Sequence, residues 1–161
     1  MKWNWQDLMD EVAGEVAELE IGQYLVVTYS GNAGYVQPHA QTAPTIGGLL
    51  CEVASESILP SESWPIADYE LSRRGWGEPD HDHENWWRHA ASPQECAHLL
   101  VDGLRFGRFC LDLPLYTYWV GDYSVVLPVG GRASGVWEQV WYAGPVWPYG
   151  TGPDWKSDAT T

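Results

Sequence analysis

The side chains best equipped for chemistry crowd into one stretch, Leu71–Arg105 (LSRRGWGEPDHDHENWWRHAASPQECAHLLVDGLR). Asp80-His81-Asp82-His83-Glu84, with His89 downstream, offers the carboxylates and imidazoles that a divalent cation takes. A metal-dependent hydrolase would use His81, His83 and Glu84. Ligand sets for first-row metals, however, usually sit at i, i+4 on a helix or come together from distant segments. Here the imidazoles alternate with acids inside one short loop, and no HExxH is present. A solvated acidic loop is the better reading, so neither a metal nor a cofactor is expected.

The same stretch holds Trp76, Trp86 and Trp87 and, counting Arg108 just beyond it, five of the chain's eight basic residues. Strand alternation through Trp86-Trp87-Arg88 sends Trp86 and Arg88 to one face and Trp87 to the other. One indole then belongs to the core, while an exposed Trp beside Arg makes a docking anchor, since both residue types are common at interfaces. Trp76, Trp86 and Arg88 are therefore candidate partner-binding residues. Trp137 and Trp141, in an aromatic tail amid Gly-Pro turns, join them.

Other catalytic devices are missing. No GxSxG elbow carries a nucleophile, and Cys96 falls on the apolar side of a helical pattern, as a buried inert thiol would. Neither Gly47-Gly48 nor Gly130-Gly131 leads into the Gly-Lys-Ser/Thr of a phosphate loop. No catalytic residue is assigned, and the chain reads as a non-enzyme.

A net charge of −14 over 161 residues repels nucleic-acid backbones and anionic membranes, and suits a basic or apolar protein partner. Hydrophobic residues at 45% are enough for an ordered core. Eleven Trp exceed what such a core needs, which points to an interface, and dimerisation follows from exposed apolar area of that extent. Cys51, Cys96 and Cys110 are odd in number and form no CxxC, so reduced, buried thiols are expected. With no apolar leader and no run long enough to span a bilayer, the expected location is cytoplasmic.

The elements that must position these residues follow from periodicity. Trp5, Leu8, Met9, Val12, Val16 and Leu19 recur on one helical face, ended by Gly22. Strands are expected at Gln23–Tyr29, Tyr35–His39 and Gly48–Ala54, an antiparallel meander broken by a loop at Pro44. A short helix over Ile66–Arg74 stops at Gly75, and Asn85–Ala90 reads as a fourth strand. Ser92-Pro93-Gln94-Glu95 has the residues of a capping box opening a helix to about Phe106. Beyond Leu115 the chain becomes a Trp-, Pro- and Gly-rich extension, residues 116–161, with a hairpin expected over 115–128 around Gly121-Asp122 and a disordered end.

That order of elements resembles the type III secretion chaperone-like superfamily, in its bacterial TY-Chap branch. Leu71, Gly75, Trp76, Pro79, Asn85, Trp86, Leu104, Arg105, Pro114 and Leu115 occupy the loose aromatic-glycine pattern of that group. The resemblance covers Trp3 to Leu115, within a chaperone-like domain placed at residues 1–115. It implies an α+β fold, an antiparallel sheet packed against two main helices, a role in binding a client protein, and frequent homodimers. An acidic immunity or inhibitor protein that neutralises a basic toxin or nuclease is the alternative.

Overall fold

The computed structural model describes residues 3–31, 36–122, 146–149 and 151–153. They fall into two compact units, one of Met1–Ala33 with Gln37–Gly121, the other of Gly34–Val36 with Asp122–Thr161. Helix α1, Trp5–Ala17, opens on a reciprocal cap. Asn4 Oδ1 accepts from the Asp7 N–H and the Asp7 carboxylate accepts from the Asn4 N–H, both at 2.9 Å. Two of the helix's orphan donors are thus satisfied by its own side chains. Leu8, Met9, Val12, Ala13 and Val16 form its buried stripe. The helix stops well short of Gly22, which lies at φ +98° and turns the chain into the first strand.

Five strands form one sheet: β1 Gln23–Tyr29, β2 His39–Thr45, β3 Gly48–Val53, β4 Trp86–Ala90 and β5 Tyr116–Asp122, in the order β4-β3-β2-β1-β5. Neighbours from β1 to β4 are antiparallel, in registers that include Val26–Gln41, Gln41–Glu52 and Cys51–Arg88. At one end of β1 the Tyr29 ring meets Tyr116, and at the other Tyr24 lies against Gly121, so β5 also runs antiparallel. The second strand lies later than the sequence predicts. It begins at His39 and runs through Pro44, which pairs with Leu49. Pro44 sits past the last β1–β2 pair, Leu25–Thr42, where its missing N–H takes nothing from that ladder. A two-residue link, Ile46-Gly47, then replaces the expected loop.

Helix α2, Asp68–Arg73, is six residues long and is followed by Gly75 at φ +93°. Helix α3, Pro93–Asp102, starts where predicted, with Ser92 Oγ accepting from the Glu95 N–H. The return half of the box differs, because the Glu95 carboxylate takes the Ala91 N–H instead. After Asp102 the backbone widens into a π-helical turn, Gly103–Gly107, rather than continuing as α-helix to Phe106.

Helix α3 lies over β2, β3 and β4, and α1 packs beside it. Trp5 reaches Tyr116 edge-on at 5.4 Å, and the Tyr118 hydroxyl donates to Glu11. The core between helices and sheet takes Leu25, Val27, Tyr29, Ala40, Cys51, Val53, Trp86 and Ala90 from the strands. The opposite face is buried at Val26, Gln41, Ala43 and Leu50, and there the Gln41 amide donates to the buried Glu52 carboxylate. This is the expected α+β class, an antiparallel sheet against two main helices. In the second unit, β6 Val146–Tyr149 and β7 Thr151–Pro153 form an antiparallel pair. The second strand of the hairpin expected over 115–128 lies outside the described residues. Among the described residues no helix is long and apolar enough to cross a membrane.

Gly103 is where the π turn meets the sheet. A Cβ there would sit 2.6 Å from Val53 Cγ2 and 3.0 Å from the Trp76 ring. Gly103→Ala is therefore expected to cost about 1–3 kcal/mol of stability through overpacking, read as a lowered urea midpoint at unchanged m-value.

Candidate functional site

The histidine loop is shaped by its own hydrogen bonds. Asp80 Oδ1 accepts from the Asp82 and His83 backbone N–H groups and lies 3.0 Å from His83 Nδ1. The His83 contact, first of several, holds the Asp80 carboxyl below its ordinary range. His83 stacks on Trp87 at 4.0 Å between ring centroids, and His89 meets the same indole edge-on at 6.2 Å. The imidazoles thus serve as packing partners of one Trp. Among the described residues, no three His, Cys, Asp or Glu are grouped to hold a metal ion.

The cysteines are equally enclosed. Cys51 and Cys96 meet across β3 and α3 with their sulfurs 3.5 Å apart, and Cys110 is fully buried. The contact with Cys96, then burial, holds the Cys51 thiol well above its ordinary range, and burial pushes Cys110 up to about 12. None has the exposed, electropositive setting that makes a thiolate nucleophile.

The indoles singled out from the sequence take other places than exposed anchors. Trp76 and Trp86 are each 5% exposed and belong to the core under α3. Trp87 is the half-exposed one, its indole N–H donating to the Glu78 carbonyl. The helices cover the Trp86 face of β4, and the strand's own residues do not reveal which face that will be. Arg88 is half-buried and donates to the Arg74 carbonyl. Trp137 and Trp141 lie outside the described residues.

What the fold does bring together is a pocket that the sequence alone does not indicate. It has a volume of about 530 Å³ and lies between the Ser55–Ser57 loop, α2 and the chain entering β4. Trp86 and Ser55 are its buried members, Glu56, Asp68 and Glu78 bring carboxylates, and Tyr69, 78% exposed, adds an aromatic wall. Asn85 Oδ1 accepts the Ser55 N–H, fixing the loop to β4, and the hydroxyls of Ser55 and Ser57 are 2.9 Å apart. Further along the same stretch, fully buried Arg108 donates to the carbonyls of Leu59, at 2.7 Å, and Trp64, at 3.2 Å. The Trp64 indole donates back to the Arg108 carbonyl, and the Ala67 N–H donates to the Gly107 carbonyl at 2.8 Å. These bonds hold the irregular stretch between β3 and α2 in place. Burial lowers the Arg108 pKa to about 10, so it keeps its charge at neutral pH.

An open, polar-rimmed concavity with a buried aromatic floor is a binding geometry. Sequence comparison points the same way. Residues 1–110 match the family TY-Chap3, described as T3SS (YopN, CesT) and YbjN peptide-binding chaperone 3. The chain belongs to that family. No curated protein and no solved structure matches it.

Two outcomes follow from this geometry. Thiol titration of the native chain with a disulfide reagent at neutral pH should proceed slowly at all three cysteines, and rapidly only in concentrated guanidinium. Arg108→Met should free the Leu59 and Trp64 carbonyls and speed cleavage after Glu62 by a glutamate-specific protease about tenfold, a local opening easier by about 1.4 kcal/mol.

Proposed function

We propose that this chain is a non-enzymatic chaperone-like module that holds an extended segment of a client protein. Its seat is the pocket between the Ser55–Ser57 loop, α2 and the β4 entry. The observation that carries the reading is a 530 Å³ pocket inside the region matched to a peptide-binding chaperone family. Its floor, the Trp86 ring, is rigidly packed in the core, so little ordering cost falls on the protein when a ligand arrives. Exposed Ser72 and Tyr69 on α2 flank the entrance and add adaptable polar and aromatic contacts. The module acts in the cytoplasm and as a homodimer. Its acidity keeps it soluble when empty.

The reading is tested by panning the full chain against a library of short peptides and repeating the binding with Ser72→Tyr, a change at an exposed position that fills the pocket and leaves the core alone. Selected peptides should bind wild type and lose at least about tenfold in affinity on the variant. If wild type selects no peptide, or the filled variant binds equally well, the proposal is wrong. A client that proves to be a basic toxin, with protection lost when the acidic face of α1 is neutralised, would favour an inhibitor over a chaperone.

A further inference from the structure

We infer that Cys51 and Cys96 form a redox-sensitive staple, a thiol pair that a peroxide converts to a disulfide joining α3 to the sheet. Their sulfurs lie 3.5 Å apart, although 45 positions separate the two residues in the chain. Both are fully buried, so the contact belongs to the packed core. A disulfide needs about 2.0 Å between sulfurs, which leaves about 1.5 Å to close. Strand β3 does not supply that movement, because Cys51 is paired with Thr42 of β2 on one side and Arg88 of β4 on the other. Cys96 sits in the first turn of α3, where its N–H donates to the Ser92 carbonyl. Helix α3 meets the sheet through side-chain packing and not through a ladder, so the helix turn moves toward the strand. Cys110 takes no part, its S–H being turned to the Arg108 carbonyl.

The two sulfurs are not equivalent. Cys51 donates its S–H to Cys96, and that contact holds the Cys96 thiol below its ordinary range. The start of α3 also places Cys96 at the positive end of the helix dipole, which favours a thiolate. Cys96 is therefore the sulfur that reacts first. Enclosure keeps the pair slow toward bulky reagents, whereas hydrogen peroxide is little larger than water and enters through local openings. The Cys96 thiolate attacks one peroxide oxygen, forming an S–O bond, while the O–O bond breaks and the departing hydroxide is protonated to water. Cys51 sulfur then attacks the sulfenic acid, forming the S–S bond; the S–O bond breaks, and the hydroxyl leaves with the Cys51 proton as a second water. Two electrons pass from sulfur to peroxide. The ring so closed runs from β3 through α2 and β4 to α3, and it contains the pocket lining from Ser55 to Trp86. Trp86 is packed in the core beneath α3, so stapling the helix suppresses openings that would lift it from that ring.

The experiment treats the folded, reduced full chain with hydrogen peroxide and follows its intact mass, then maps the peptides of a protease digest. The mass should fall by two hydrogens, the digest should join the Cys51 and Cys96 peptides, and dithiothreitol should reverse both changes. Cys110 should remain a single thiol, alkylated once the chain is dissolved in guanidinium. The oxidised chain should have a higher urea midpoint, and its slowest α3 amides should exchange at least about tenfold more slowly than in the reduced chain. Cys110→Ser should keep the mass change, and Cys51→Ser or Cys96→Ser should lose it. Because the peptide map is read on the wild-type chain, a variant that fails to fold does not blunt the test. The inference fails if peroxide only adds oxygen to the chain, if the bond found involves Cys110 or a second molecule, or if the folded chain stays reduced. A Cys51–Cys96 bond that leaves the urea midpoint and the α3 amides unchanged would equally remove the staple.

Discussion

The buried guanidinium of Arg108 is the constraint that orders the irregular stretch leading from β3 to α2. Between β3 and α2 the chain runs through residues 54–67 without a strand or a long helix, broken by Pro60 and Pro65. Such a segment has few backbone hydrogen bonds of its own and would ordinarily be mobile. Arg108 reaches it from the end of the π turn and takes two of its carbonyls, while Nε and Nη1 are left without acceptors. Burying a cation in this way is expensive, as its lowered pKa indicates. The net stabilisation is accordingly small, and the effect of the contact is positional. It ties down Leu59 and Trp64, midway between the Ser55–Ser57 loop and α2, while Asn85 fastens the Ser55 loop to β4.

The residues that carry the family resemblance turn out to build this same region. Leu71 and Leu104 are fully buried, and Trp76 and Trp86 are nearly so. Gly75 adopts the positive φ that lets the chain double back from α2, and Asn85 fastens the Ser55 loop. Arg105 covers Trp5 with its guanidinium 4.1 Å from the ring centroid. These are scaffold roles.

Much of the architecture was legible because it depends on local patterns. The α1 stripe, the strand at Gln23–Tyr29 and the Ser92-Pro93 helix start each follow from periodicity or capping chemistry within a few residues. Strand β2 was not, since Pro38 and Pro44 read as breaks and only the partner registers show where a Pro is tolerated. The π turn was also hidden. Gly103 and Gly107 look like helix-ending residues, and their real purpose is close approach to Val53, Trp76 and Leu71, all distant in sequence. The Asn4 cap was readable from an Asn-x-x-Asp spacing, though it lies between two Trp that dominate the local pattern. The pocket could not be read because its walls come from a six-residue helix and loops without periodicity. The Trp-rich span did mark the right neighbourhood, but composition cannot say which indole faces outward, and here Trp87 rather than Trp86 does.

The most direct test of the account is amide hydrogen exchange on the full chain, with and without a selected peptide at saturation. Binding in the proposed pocket should slow exchange at Ser55–Ser57, along α2 and at residues 78–86, and leave the outer face of α1 unchanged. Protection confined to any other surface, with those three segments exchanging as in the free protein, would contradict it.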